Sequence, residues 1–189
     1  MAKKKIIIVL GSPRKKGNSA ALAEQVAAGA KAGGAKVKIF NLHDMKISPC
    51  TACDACQRDT ARDCVIKDPM KRLYPELRRA DALVIASPIY WFTMSAQTKL
   101  FMDRCYALGG PGGHALKGKK IGILLTYADA DPFSSGAVNA LRTFQDGFSY
   151  IGADIAGMVY GSAGKAGEIR QNKALLKQAY ELGEKLSAE

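Results

Sequence analysis

The chain lacks any apolar stretch of the roughly 18 residues that a membrane-crossing helix needs; none occurs among its 189 residues. It has no internal repeat and no low-complexity tract. A Walker A loop is missing, because Gly17 is followed by Asn18 and not by Lys-Ser/Thr. The G-x-G-x-x-G dinucleotide fingerprint is missing as well. No helix-turn-helix pattern and no aromatic RNA-binding signature accompanies the net charge of +11, which leaves nucleic acid a weak alternative, and no nucleic-acid partner is expected. The first apolar run, Ile6 to Leu10, stops at Gly11. That is too short for a secretory core, so it reads as a first strand and the cytoplasm is the expected location.

What is present is globular: 48% of the residues are hydrophobic, and the length suits one domain, residues 1–189. The surplus of lysine and arginine either solvates helix faces or draws in an anionic ligand or acidic partner. It is dense at Lys3, Lys4, Lys5, Arg14, Lys15 and Lys16. Five continuous Ile/Val/Leu-rich runs predict strands: Ile6–Leu10, Val37–Phe40, Ala82–Ser87, Ile121–Tyr127 and Ile155–Tyr160. Runs that do not alternate are the mark of parallel strands covered on both faces. Helical spacing follows, as in Val138, Leu141, Phe144, Phe148 and Ile151, and in Leu175, Ala179, Leu182 and Leu186. Strict alternation predicts an α/β doubly wound five-stranded parallel sheet in the order 2-1-3-4-5. Ligands of such sheets bind at the carboxyl ends of the strands, at the switch point. The loops after Leu10, Ser87 and Tyr127 are therefore the candidates.

After the first strand comes GSPRKKGNS, Gly11 to Ser19. Gly11 and Gly17 free the backbone, Ser12, Asn18 and Ser19 bring donors, and Arg14 can clamp two phosphate oxygens. With the amides of the following helix, the loop suits one phosphomonoester; the plain alternative is a helix cap with incidental basic residues. After the third strand, SPIYWFTMSAQTKLFMDR places Tyr90, Trp91 and Phe92 together. Three adjacent aromatics cannot all face a core, so they cover a flat ligand, make a subunit contact or plug the loop. Lys99, Asp103 and Arg104 read as structural ion pairs or oligomer contacts. Thr126 to Asn139 forms the third loop.

Between the second strand and Pro69 lies an aperiodic stretch, His43 to Asp68, long enough to be functional. It holds Cys50, Cys53, Cys56 and Cys64 in a C-x2-C-x2-C-x7-C pattern. Four thiolates suffice for a [4Fe–4S] cluster; zinc, and free or disulfide-linked thiols, are the alternatives. His43 is a spare ligand or a loop histidine, and Cys105 an ordinary buried thiol. The loop's charges, Lys46, Arg58, Arg62 and Lys67 against Asp44, Asp54, Asp59, Asp63 and Asp68, nearly cancel. Following the second strand, the loop is expected at the same sheet edge as the phosphate loop.

GSPRKKGNS together with SPIYWFTMSAQTKLFMDR resembles the NAD(P)H-dependent FMN reductase group of flavodoxin-like proteins. CTACDACQRDTARDCVIKDPM, Cys50 to Met70, resembles the iron–sulfur flavoproteins. The resemblance covers essentially the whole chain and implies a single FMN-binding domain with residues 43–68 inserted. Ser12, Arg14, Gly17, Asn18 and Ser19 would hold the FMN phosphate. Pro88, Ile89, Tyr90, Trp91 and Phe92 would border the isoalloxazine on one side, and Thr126, Tyr127, Ala128 and Asp129 on the other. The third loop departs from the glycine-rich form of many reductases. The resemblance further implies NAD(P)H as donor, a quinone, flavin or iron–sulfur/protein acceptor, and a homodimer or homotetramer. A cluster facing the FMN of a neighbouring subunit is implied too. No side chain is expected to act as a catalytic acid or base. The alternative is an electron carrier, partnered by ferredoxin, with no small-molecule substrate of its own.

Overall fold

The computed structural model describes residues 3–59 and 63–188; Arg62 of the cysteine loop lies outside them. Strand β1 (Lys5–Leu10) leads into α1 (Asn18–Ala32), then β2 (Lys36–Asn41) and the short helices α2 (Leu42–Met45) and α3 (Ala55–Arg58). Helix α4 (Met70–Arg79) precedes β3 (Ala82–Tyr90), β4 (Thr93–Met94) and α5 (Ala96–Arg104), which runs into a 3-10 turn, Cys105–Leu108. The chain continues through β5 (Lys120–Tyr127), α6 (Ala137–Tyr150), β6 (Asp154–Ser162), a 3-10 turn at Glu168–Gln171, and α7 (Lys173–Ser187).

The sheet order is β2-β1-β3-β5-β6, all parallel, with β4 added antiparallel to β3. The sheet thus has six strands where the sequence predicts five. The additional one is the two-residue β4, folded back on β3 with Ile89 opposite Met94 and Tyr90 opposite Thr93.

Both faces are covered, which is why the apolar runs do not alternate. Ile6 and Ile8 point into a core shared with Leu22 and Val26 of α1 and Leu182 and Leu186 of α7. Ile7 and Val9 point the other way, to Leu73 and Leu77 of α4, Phe101 of α5 and Phe144 of α6. Helices α1 and α7 lie backbone to backbone. A Cβ on Gly29 would stand 2.0 Å from the Tyr180 carbonyl oxygen, and one on Gly183 would stand 2.2 Å from that of Val26.

The phosphate-type loop is set by α5. Ser95 caps that helix by accepting from the Thr98 amide, and its hydroxyl donates to the Gly11 carbonyl at 2.7 Å. Ser87, within β3, accepts from the Ser95 amide at 3.0 Å. The loop after β1 is therefore pinned to the start of α5 and to β3 by two buried serines.

Candidate functional site

At the carboxyl edge of the sheet, a cleft of about 90 Å³ is lined by Ser12, Arg14, Gly17, Asn18, Ser19, Pro88, Ile89, Tyr90, Thr126, Tyr127 and Ala128, with Ala163, Gly164 and Ala166. The loops after β1 and β6 and the carboxyl ends of β3 and β5 converge there, as expected at a switch point. A larger cavity, about 810 Å³, lies between α5 and α6 and reaches Leu83 at the start of β3 and Gly152 before β6. It opens at the amino end of the strands and holds none of the predicted groups, so the smaller cleft is the better candidate.

The floor of the cleft is the start of α1. Gly17 sits at its N-cap without a side-chain hydrogen bond, and no acidic residue stands in the first turn. Its leading amides thus keep the partial positive charge of a helix end for an anion. Ser12, 5% exposed, accepts from the Arg14 amide at 3.1 Å, which shapes the turn and leaves its own hydroxyl hydrogen free to donate. Arg14, Lys15 and Lys16 are exposed around the mouth; Lys15 pairs with Asp44 at 2.9 Å. This donor set, with no carboxylate in it, fits a phosphomonoester.

Asn18 lines the cleft, and its side chain is held by the loop after β6. Its amide nitrogen donates to the carbonyls of Ala163 (3.0 Å) and Lys165 (2.9 Å), and its oxygen accepts from the Ile169 amide at 3.3 Å. The side chain is spent as a strap that brings the loop after β6 to the cleft. That loop, Ala163 to Ala166, is the wall the sequence reading missed; alanine and glycine carry no chemical signal, and only the asparagine opposite hints at it.

Of the predicted aromatics, Tyr90 reaches the cleft, whereas Trp91 and Phe92 do not line it. They are the two central residues of the β3–β4 hairpin, both left-handed (φ 50° and 65°), and 92% and 56% exposed. Two-residue turns of this hand favour Asn-Gly, and non-glycine residues there cost on the order of 1–2 kcal/mol each. The turn is held by Asn139, which donates to the Phe92 carbonyl at 3.0 Å, and by Gly136. A Cβ on Gly136, itself at φ 74°, would stand 2.5 Å from the Phe92 Cβ. Of the third loop, Thr126 and Tyr127 are buried and Ala128 lines the cleft, but Asp129 is exposed and outside it.

The cysteine segment departs from expectation in place and in assembly. Only its start lies by the phosphate-type loop, through Lys15 and Asp44. The rest follows α5 to its far end, where Gln57 donates to the Tyr106 carbonyl at 2.9 Å and Arg104 to that of Ser48 at 2.8 Å. Cys56 and Cys64 are buried, whereas Cys50 and Cys53 are exposed. Among the described residues no three His, Cys, Asp or Glu side chains are grouped to hold a metal. The donor chemistry nonetheless suits one. Ala52 and Asp54 are left-handed (φ 51° and 54°), so the chain turns twice within the C-x2-C-x2-C run. Hydrogen bonds from the Ala55 amide and the Thr51 side chain hold the Cys53 thiol below its ordinary range. Gathering the four sulfurs is a step that metal binding itself drives in many small sites. Cys105 is inert by comparison, its thiol pushed up to about 12 by burial. His43 is exposed, its ring 3.4 Å from the Gln97 amide, and joins no ligand group among the described residues. Lys99 and Asp103 pair along α5 at 2.7 Å.

Comparison with known proteins bears on the family and the fold. The chain is 35% identical over 126 residues to an iron–sulfur flavoprotein of Archaeoglobus fulgidus, covering 66% of this chain and 54% of that protein. It thus spans about half the length of that relative. An iron–sulfur flavoprotein of Methanocaldococcus jannaschii is 33% identical over 144 residues, covering 76% of this chain and 70% of its own. The NAD(P)H:quinone oxidoreductase structure from Methanothermobacter marburgensis superposes with a TM-score of 0.76 at 19% identity, over 100% of this chain and 98% of that one, a likeness of fold alone. The model of the NADPH-dependent FMN reductase family matches residues 4–184. With its parallel sheet wrapped on both faces and its loops converging at the switch point, the chain belongs to the NADPH-dependent FMN reductase family, on a flavodoxin-like α/β fold.

Proposed function

We propose that residues 1–189 form one FMN-binding unit, an oxidoreductase that accepts hydride from NAD(P)H and passes electrons to a quinone, a flavin or an iron–sulfur protein. The observation that carries this is the uncapped, acid-free start of α1 opening into a cleft made at the carboxyl ends of four strands. Ser12, Arg14 and the leading amides of α1 bind the phosphate; Ser19 lies buried beside them. Pro88, Ile89 and Tyr90, with Thr126, Tyr127 and Ala128, border the ring system. When bound, FMN supplies the redox chemistry, taking electrons in pairs and releasing them singly or in pairs. The chain's task is position and exclusion. Heating the purified protein and chromatographing the released cofactor should yield FMN. FAD, or no flavin after reconstitution, would overturn the proposal.

The four cysteines support a [4Fe–4S] cluster as a further proposal, with an acidic ferredoxin-like carrier as partner for a chain of charge +11. Within one chain the cysteines and the cleft occupy opposite ends of α5, which favours a homodimer or homotetramer in which one protomer's cysteine loop meets its partner's flavin. Anaerobic reconstitution should give about four iron and four acid-labile sulfide per chain. Cys53→Ala should lose them while FMN stays bound. Wild type that takes up no sulfide would remove the cluster and leave the flavin reductase.

A further inference from the structure

All four clustered cysteines lie between Ser48 and Asp68, and those two residues meet. The Ser48 amide donates to Asp68 Oδ2 at 3.0 Å, closing the segment at its neck. Arg104, at the end of α5, locks the closure. Its Nη1 donates to the Ser48 carbonyl at 2.8 Å and to Asp68 Oδ2, and its Nη2 to Asp68 Oδ1 at 3.3 Å. Asp68 also accepts from the Met70 amide at 3.0 Å, so it caps the start of α4. The pair is dry: the Arg104 side chain is wholly buried and that of Asp68 is 7% exposed.

One nitrogen of the guanidinium is left without a partner. Arg104 Nε–H is buried with no partner among the described residues, a condition that is costly unless something accepts from it. Cys64, itself buried, lies within electrostatic reach of the guanidinium and of Tyr74, whose hydroxyl donates to the Arg104 carbonyl at 3.1 Å. A buried arginine that both ties the neck of a cysteine loop and holds an N–H in reserve suits an anionic sulfur centre. Such a centre needs its negative charge offset, and the loop's own charges nearly cancel.

We propose that Arg104 is the positioning and charge-balancing residue of the cysteine loop, which it clasps through Ser48 and Asp68 while its buried cation stabilises the more negative, reduced state of the centre formed by Cys50, Cys53, Cys56 and Cys64. The inference rests on the cluster proposed above. Hydrogen bonds and net charge near the sulfurs set the potential of such centres. The Asp68 carboxylate partly cancels the cation, so the two residues act with opposite sign.

The test is an anaerobic EPR redox titration of the reconstituted, FMN-loaded protein, with iron, sulfide and FMN counted per chain, for wild type, Arg104→Gln, Arg104→Lys and Asp68→Asn. Arg104→Gln should disfavour cluster reduction at least tenfold, which is about 59 mV for one electron. Asp68→Asn should favour it, and Arg104→Lys should stay within about threefold of wild type. FMN affinity should not change in any of them. Shifts of opposite sign cannot come from a loosened loop, which would move both variants alike. Equal potentials with full iron, or shifts of one sign, would overturn the assignment. Should Arg104→Gln fail to fold, Asp68→Asn decides alone: a raised potential supports the proposal, and an unmoved or lowered one overturns it. Wild type that binds FMN but no sulfide defeats the cluster and this inference together, whereas a full cluster with unmoved potentials defeats only the latter.

Discussion

Gly183→Val is expected to cost about 3 kcal/mol or more of stability and to lower the melting temperature by roughly 6–12 °C. The cause is the direct contact of α1 and α7. Gly183 stands where its Cβ would come 2.2 Å from the Val26 carbonyl oxygen and 2.8 Å from the Ala30 amide nitrogen. Both obstacles are backbone, so no side chain can swing aside. The reciprocal contact, Gly29 against the Tyr180 carbonyl, removes the option of sliding one helix along the other. A valine must push the helices apart and open the core that holds Leu22, Val26, Leu182 and Leu186. Thermal unfolding at one fixed protein concentration checks this, since assembly shifts the midpoint by mass action. A melting temperature within about 2 °C of wild type would mean that the helices part at little cost.

Arg14→Ala should weaken FMN by about 1.5–3 kcal/mol, or roughly 10- to 150-fold in dissociation constant, the range for a hydrogen bond to a charged group. Arg14 is exposed at the mouth of the cleft. Its removal leaves the loop intact, because the bonds that shape the turn are made by its backbone: its amide donates to Ser12 Oγ and its carbonyl accepts from the Gly17 amide. The thermal stability of the apoprotein should therefore not move. Fluorescence titration of apoprotein with FMN at two salt concentrations reads the effect, and the loss should shrink at high salt. An unchanged dissociation constant would mean that Arg14 points into solvent and that Ser12 and the α1 amides hold the phosphate unaided.

The parallel sheet was legible because both its faces are buried. Ile6 to Leu10 and Ala82 to Ser87 read as strands from composition alone, and both extend further in the structure, to Lys5 and to Tyr90. What escaped was whatever depends on partners far along the chain. The β3–β4 hairpin was invisible because Trp91-Phe92 carries none of the chemistry of a tight turn; Asn139 and Gly136, over forty positions later, make it tolerable. Asn18 reads as a phosphate donor from its place in the loop, yet its three bonds go to Ala163, Lys165 and Ile169. Arg104 reads as a structural ion-pair residue and is one, but nothing local reveals that its partners are Asp68 and Ser48 or that they enclose it. The cysteine loop was found by spacing, but its path was misjudged. Strand order places the start of a connection and says nothing of where some twenty residues then travel.

The closed neck at Ser48 and Asp68 also bears on how such a chain can change over generations. A segment whose two ends are bonded to each other and to a buried arginine is a cassette. The flavodoxin-like scaffold meets it at that junction, at the Cys105–Leu108 turn, through the Asp63–Arg78 ion pair, and where Cys56 and Cys64 join the core. Lengthening a loop whose ends are already fixed is cheap, since each doubling adds only about 0.6 kcal/mol of closure entropy. Residues between the two anchors can be added, lost or exchanged, along with whatever their side chains bind, while the cleft at the other end of α5 keeps its shape. Diversification in descendants of this fold is then expected inside the anchors, with the serine, the aspartate and the arginine changing last.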